Sequence, residues 1–511
     1  MKLHETLSYK PAELAFGTSG LRGLVTDMTD LECYINARGF VEYLKAHDNL
    51  QDGETVYLAG DLRDSSPRIT AVMVAALQDS NLQIVYCGKI PTPAVAFYAL
   101  QNNAPCIMVT GSHIPADRNG IKFYKREGEV LKADEADIKA AVAQVRQELY
   151  DQAADESAFT SSGSLNELPE LPAVDDAAAE VYAKRYIDTF GADALAGKQI
   201  VFYQHSAVGR DLLVEILEAL GAEVKPVGRS DTFIPIDSEN VGDNEKAYFA
   251  ELSREYPNCF AIVSTDGDSD RPFVIDATGT FHRGDVLGCI TAEFLGAKFV
   301  AIPVSCNDAV DEYCQQKGIT KVGTKIGSPY VVSAMQTADK NLEPLTGWEV
   351  NGGFLLGSDT KINGVLYKAL PTRDAALPII AALVSASDQK TTVAELFARL
   401  PRRFTGGALI DDVPDAQIEY FRAHASDLPT MERLAKVVFK DSPLGDVKKL
   451  DVTDGLRLIF ASGDVIHLRP SGNAPQVRVY SNASTQQQAD DLAAAAVAPN
   501  GYIEQLLQAL V

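Results

Sequence analysis

Three aspartates, Asp266, Asp268 and Asp270, alternate with Gly267 and Ser269 in the stretch STDGDSDRP. Three carboxylates this close repel one another, and a hard divalent cation that takes one oxygen from each relieves the repulsion. Two familiar acidic loops do not fit. An EF-hand wants glycine at 271 and glutamate at 277, where the chain has Arg271 and Ala277. An aspartyl-phosphate loop of the form DxDx[TV] led by Asp266 wants Thr or Val where the chain has Asp270. A site with only three protein carboxylates leaves coordination open, and Mg²⁺ fills such positions with phosphate oxygens or water. The plainer reading is a solvated acidic turn. It sits poorly with the preceding apolar run FAIV, which should deliver the loop to the carboxyl end of a buried strand, where ligands bind in α/β sheets.

Three other loops carry groups that could join such a site. In VTGSHIPADRNGIKFY, Ser112 follows the apolar run CIMV, but Thr110 and Ile114 stand where a GxSxG nucleophile elbow needs glycines. His113 adjoins Ser112, and neighbouring side chains of an extended loop point apart, so it makes a poor base for that hydroxyl. Taken alone, Ser112 reads as a turn residue. In GWEVNGGFLLG, Glu349 and Asn351 can accept from and donate to vicinal hydroxyls, among glycines that admit close backbone approach. The single tryptophan, Trp348, either lines that pocket or packs in the core. In RPSGNAPQVR, the guanidinium forks of Arg469 and Arg478, the Ser471 hydroxyl and the N–H groups around Gly472 and Asn473 suit a phosphate dianion. An ordinary polar turn between strands is the competing reading.

The elements that must position these loops are legible in outline. Apolar runs followed by Gly/Asp/Ser loops and amphipathic stretches recur, as in VYLAGDLRDSS, LQIVYCGKIPTPA and QIVFYQHSAVGRDLLVEILEALG, which predicts βα units in mainly parallel sheets. Thr29 and Glu32 have capping-box spacing ahead of LECYINARGFVEYL. Residues 151–175 turn polar and aperiodic and read as a linker or a long surface loop, whereas DGLRLIFASGDVIHLRPSGNAPQVRVY alternates as antiparallel strands do. The length, 511 residues, predicts three or four domains at roughly 150 residues each. The net charge of −24 disfavours nucleic acid and anionic membranes as partners, so a bound anion needs a local cluster of positive groups. Seven cysteines without a CxxC pair suggest reduced thiols and a cytoplasmic home, and the chain shows neither a signal-peptide core nor a run long enough to span a bilayer.

Together and in this order, TGSHIP, DGDSDR, WEVNGG and RPSGNAP, with FGTSGLRG near the start and NGIK after the serine, resemble the α-D-phosphohexomutases, the superfamily of phosphomannomutase and phosphoglucomutase. The resemblance runs from Phe16 to Arg478. It implies an α/β fold of three consecutive mixed or parallel-sheet βα domains around a central cleft, plus a C-terminal α+β cap. The expected boundaries are 1–150 for the phosphoserine loop, 176–286 for the metal loop, 287–401 for the sugar loop and 402–511 for the phosphate loop. It further implies that Ser112 carries a phosphoryl group, that Asp266, Asp268 and Asp270 hold Mg²⁺ against that phosphate, and that Arg22, Lys122 and Arg271 surround the transferring group, Lys122 as general acid and base. Glu349, Asn351, His113 and Lys325 would read the sugar, and Arg469, Ser471, Gly472, Asn473 and Arg478 would clamp the non-reacting phosphate. The implied reaction interconverts hexose 1-phosphate and hexose 6-phosphate, mannose favoured, through a hexose 1,6-bisphosphate that also serves as activator, in a monomer or homodimer. Phosphoglucomutase, phosphoglucosamine mutase, a bisphosphate synthase or phosphatase, and a non-catalytic sugar-phosphate binder are the alternatives. Ile114, Trp348, Asn351, Gly353, Asn473 and Ala474 depart from the family pattern.

Overall fold

A computed structural model describes residues 1–17, 20–410, 413–424, 427–439, 444–470 and 476–510. The chain divides into two compact units, Met1–Phe299 with Gly327–Phe397, and Val300–Ile326 with Ala398–Val511.

In the first unit, strands β1 (Ala15–Phe16), β2 (Leu21–Leu24), β3 (Thr55–Gly60), β4 (Gln83–Lys89), β5 (Cys106–Val109), β6 (Arg118–Lys125) and β7 (Gly128–Glu129) form one sheet. Its order is β1-β2-β6-β5-β3-β4, with β7 paired to β6. Strands β3, β4 and β5 run parallel, joined through helices Ser66–Gln78 and Thr92–Gln101, and β6 returns antiparallel to β5. The serine loop is therefore the connection from the carboxyl end of β5 into β6. Strands β8 (Gln199–His205), β9 (Glu223–Arg229), β10 (Ala261–Thr265), β11 (Pro272–Asp276) and β12 (Phe281–His282) repeat the device. Here β8 pairs parallel with β9 and β10, β10 turns antiparallel into β11, and the acidic loop fills the connection between Thr265 and Pro272. All five residues of β10 are buried. Each apolar side chain placed there contributes about 1.5–3 kcal/mol, which offsets the cost of burying the polar loop that follows.

The strand series continues with β13 (Phe299–Pro303) and β14 (Thr320–Thr324), then β15 (Leu345–Trp348), β16 (Phe354–Leu356), β17 (Thr360–Ile362), β18 (Val365–Tyr367) and β19 (Leu370–Asp374). Strands β15, β16 and β19 pair antiparallel, and β17 with β18 makes a separate hairpin. The sugar loop is the β15–β16 connection. In the second unit, β20 (Phe404–Ile410), β21 (Val447–Asp451), β22 (Leu456–Phe460), β23 (Val465–Pro470) and β24 (Val477–Ala483) form an all-antiparallel sheet ordered β20-β24-β23-β22-β21. The fold is thus α/β, with several parallel or mixed sheets and a more antiparallel C-terminal domain.

Local expectations largely hold. Thr29 caps helix Asp30–His47, its hydroxyl accepting from the Glu32 N–H at 3.3 Å. The reciprocal half of the capping box is absent because the Glu32 carboxylate instead accepts from Arg146 and the Tyr150 hydroxyl. No helix or strand occupies 151–175. The seven cysteines are buried and not joined in disulfides. Among the described residues, no helix is long and apolar enough to cross a membrane.

Candidate functional site

The two connections place Ser112 against the aspartates, 154 residues away in sequence. The Ser112 hydroxyl donates to Asp266 Oδ2 at 2.6 Å, and both residues are buried. Ser112 has φ 55°, a left-handed conformation that disfavours an L-residue with a side chain by about 1–2 kcal/mol. That turn overrides the expectation that neighbouring side chains diverge, because His113 Nδ1 lies 3.2 Å from Ser112 Oγ. Burial, with Arg271 and Arg22 close by, pushes the His113 imidazolium well below the usual range, so the ring is neutral.

Asp266, Asp268 and Asp270 each turn one oxygen to within 4.8 Å of the others. Asp266 Oδ1 accepts from the backbone N–H groups of Asp270 and Arg271, and Asp268 Oδ2 accepts from the Thr92 hydroxyl at 2.5 Å. The remaining oxygens Asp268 Oδ1 and Asp270 Oδ1 are buried without a hydrogen-bond partner. An unpartnered carboxylate oxygen inside a protein is costly, and two of them in an all-oxygen trio fit a hard divalent cation. Burial and then the charges of Asp268 and Asp270 raise Asp266 well above the usual carboxylate range. Burial opposes ionisation of Asp270 too, but Arg373, Lys122 and Arg271 outweigh it and hold that carboxyl below its ordinary value.

Positive groups ring the trio. Lys122 projects from β6, its Nζ 2.6 Å from Asp268 Oδ2 and 2.5 Å from Asp270 Oδ2. Arg271 donates to Asp237 Oδ1 at 3.3 Å, and its Nε lies 3.8 Å from both Asp266 and Asp270. Arg22, on β2, has its pKa lowered to about 10 by burial and then by Arg271 and Arg373. The cation cluster that the acidic net charge demanded is therefore local, with Lys122 and Arg271 buried and Arg22 half-buried.

In the sugar loop, Glu349 Oε2 accepts from Arg373 at 2.9 Å. The Asn351 carboxamide is engaged at both ends: Oδ1 accepts from the Gly353 N–H, and Nδ2 donates to Glu239. Trp348 takes the packing role. It is fully buried, donates its indole N–H to the Asp285 carbonyl, stacks on Phe354 and packs against Gly288, where any Cβ would meet the ring at 2.3 Å.

Lys325, Arg469 and Arg478 belong to the second unit. Lys325 is exposed and immediately precedes Ile326, whose N–H donates to Asp454 Oδ2. The same oxygen accepts from Arg469 Nε at 3.1 Å, and Arg478 is exposed on β24 opposite Arg469. Ser471, Gly472 and Asn473, with the departing Ala474, lie outside the described residues, as do Thr18 and Ser19 of FGTSGLRG.

Sequence reasoning overlooked Arg373, Thr92 and Arg63. Arg373, at the end of β19, bonds both Asp270 Oδ2 at 2.9 Å and Glu349, so one guanidinium bridges the acidic loop and the sugar loop. Thr92 and Arg63 follow β4 and β3, parallel neighbours within the sheet that carries Ser112. Their position after a parallel strand was the available sign.

Residues 13–149 match α/β/α domain I of phosphoglucomutase/phosphomannomutase, residues 283–404 match its α/β/α domain III, and residues 422–498 its C-terminal domain. The chain belongs to the phosphoglucomutase/phosphomannomutase family, enzymes of carbohydrate metabolism that carry out intramolecular phosphotransfer on hexose phosphates. A phosphomannomutase of Sinorhizobium fredii is 40% identical over 490 residues, covering 94% of this chain and 98% of its own. A phosphomannomutase of Salmonella muenchen is also 40% identical, over 93% of each chain. A phosphoglucosamine mutase of Pelotomaculum thermopropionicum is 26% identical over 93% of this chain and 96% of its own. The crystal structure of a phosphoglucomutase/phosphomannomutase family protein from Burkholderia thailandensis shares the fold, with TM-score 0.70 at 18% identity over 98% of each chain.

Proposed function

We propose that this phosphohexomutase is a phosphomannomutase that works through a phosphorylated Ser112 and a hexose 1,6-bisphosphate. The observation that carries this reading is the 2.6 Å contact between the Ser112 hydroxyl and Asp266, beside two buried carboxylate oxygens with no partner. In the proposed cycle a sugar hydroxyl attacks the phosphorus on Ser112, the Oγ–P bond breaks and the new O–P bond makes the bisphosphate. The sugar then reverses, and its other phosphate returns to Ser112 Oγ. Such transfers need little covalent help, so positioning and charge neutralisation carry the catalysis. Mg²⁺, held by Asp266, Asp268 and Asp270, would supply that neutralisation at the phosphate. Arg22 and Arg271 add positive charge around the transferring oxygens. Lys122, as general acid and base, would take the hydroxyl proton in one half-reaction and return it in the other.

Glu349, through the oxygen not bonded to Arg373, would read sugar hydroxyls together with Asn351, His113 and Lys325. Arg469, Ser471, Gly472, Asn473 and Arg478 would hold the non-reacting phosphate in both orientations. On this reading the chain comprises four domains, 1–150, 176–286, 287–401 and 402–511, and works in the cytoplasm as a monomer or homodimer on hexose phosphates, without nucleic-acid or membrane partners. The preference for mannose is supported by the two relatives at 40% identity, whereas the phosphoglucosamine mutase stands at 26%. The test is a comparison of kcat/KM on mannose, glucose and glucosamine 1-phosphates, each with a trace of the matching bisphosphate and Mg²⁺. Mannose 1-phosphate should lead, and a lead for glucosamine 1-phosphate would overturn the assignment.

A further inference from the structure

The serine loop is held by one residue that touches none of the reacting groups. Arg63 follows β3, and its side chain is only 1% exposed. Nη1 donates to the carbonyls of Pro115 at 2.7 Å and Arg118 at 2.8 Å, and Nη2 donates to those of Ser112 at 3.0 Å and Ile114 at 2.6 Å. A single guanidinium thus gathers four carbonyls of the 112–118 segment, including that of Ser112 itself. Its Nε faces Asp61 Oδ2 at 3.3 Å, and the same Asp61 oxygen accepts from the Thr110 hydroxyl, which in turn accepts from the Ser112 N–H at 2.8 Å. Ser112 is therefore tied on both sides of its left-handed residue by one Asp61–Arg63 unit. Strained backbone at a reacting residue persists only where its surroundings over-determine it, and here the surroundings are these two side chains.

Two further contacts show that the guanidinium fits one place. A Cβ on Gly111 would meet the Arg63 guanidinium at 2.7 Å, so the absence of a side chain at 111 makes room for it. Gly111 is not in the left-handed region, so its conformation does not itself require glycine. On the far side the Phe233 ring lies 3.9 Å from the guanidinium carbon, and the same ring packs against Gly267 of the acidic loop, where a Cβ would meet it at 2.9 Å. Arg63 thus sits between the serine loop and a ring that also braces the aspartates.

We propose that Arg63 is a positioning residue for phosphoryl transfer, fixing the aim of Ser112 Oγ at the acidic loop through four backbone carbonyls in the space that Gly111 leaves open. The inference rests on Ser112 as the phosphate carrier. Lysine at 63 keeps the charge beside Asp61 but cannot present a planar fork to four carbonyls.

The experiment compares R63K, G111A and S112A with the parent enzyme in steady-state kinetics per folded molecule, with folding followed by circular dichroism. R63K should lower kcat about a hundredfold, the scale set by a misplacement of about 1 Å, while KM changes less than about threefold. G111A, which displaces the guanidinium without removing it, should lower kcat with the same unchanged KM. A parental kcat per folded molecule in R63K, or a rise in KM as large as the fall in kcat, would overturn the proposal. If R63K does not accumulate folded, G111A decides by the same criteria. S112A separates the two readings: activity in S112A removes the serine assignment itself, whereas a dead S112A beside a fully active R63K removes only the role of Arg63.

Discussion

The strand connections that carry Ser112 and the aspartates differ in kind from the C-terminal sheet that carries Arg469 and Arg478. In the former, the ionisable groups are buried and interlocked: Asp266 and Asp268 are fully buried, Lys122 bonds two of the three aspartates, and Arg373 bonds both the acidic loop and the sugar loop. In the latter, Arg469 keeps 22% of its side chain exposed and Arg478 is exposed altogether. The cause lies in the sheets. Parallel strands with crossover helices bury their carboxyl ends, so a charge placed there must be neutralised by neighbours fixed in number and direction. An antiparallel sheet can leave a face and its connections in water, where a guanidinium needs no internal partner. Under the proposed function, the groups that act on the transferring phosphate are fixed in advance. Of the groups that would hold the other phosphate, Arg469 has Asp454 as its partner and Arg478 is exposed to water.

That contrast predicts a graded set of losses. Ser112→Ala should lower kcat at least about a thousandfold while the far-ultraviolet spectrum and sugar-phosphate affinity stay near parental, since the covalent carrier is gone and its surroundings are not. A retained kcat in that variant would show that the buried contact to Asp266 is only structural. Asp268→Asn should raise the Mg²⁺ concentration for half-activation by about a hundredfold, a scale that even outer ligand partners reach, and calorimetric Mg²⁺ titration should show the same shift. An unchanged titration would remove the acidic loop as the ligand set. Arg469→Ala should act mainly on KM, raising it about ten- to thirtyfold, as expected for one charge-assisted hydrogen bond of about 1.5–2 kcal/mol. A loss confined to kcat would erase the contrast between the two regions.

The last effect, on stability rather than on turnover, concerns a feature the two regions share. His205 in the first unit and His467 in the second are buried, each with Nε2 against a backbone carbonyl and Nδ1 without a partner. Burial lowers each imidazolium to about 4. The folded state therefore binds fewer protons than the unfolded chain between about pH 4 and 6.5, so the stabilisation is fully present above 6.5 and is lost as pH falls through that window. From pH 7 to 5 each histidine should contribute a loss of about 2 kcal/mol in urea unfolding. His467→Gln should flatten this dependence by one histidine's share, and an undiminished pH slope would place its source elsewhere.

Much of the site was legible in the sequence because it is written in contiguous loops. Asp266, Asp268 and Asp270 announce themselves by spacing, and FAIV ahead of them marks the buried strand β10 that delivers them. The recurring βα pattern and the change to alternation near the C-terminus gave the fold class for the same reason, since periodicity is a local property of the chain.

What only tertiary structure decided is which distant groups meet and in what geometry. No pattern within TGSHIP shows that Ser112 takes a left-handed turn, which brings His113 Nδ1 beside its hydroxyl against the extended-loop expectation. Trp348 could be read as pocket lining or core until its indole was seen stacked on Phe354 and bonded to the Asp285 carbonyl. Arg63 and Arg373 stand among ordinary residues in GDLRDSS and PTRDAA, and their roles arise from carbonyls and carboxylates 24 to 103 residues away. Side-chain chemistry and its local rhythm are carried by the sequence itself. The partners of a buried charge are chosen by the crossing of strands that lie far apart along the chain, and in a low-dielectric interior those partners determine what the charge does.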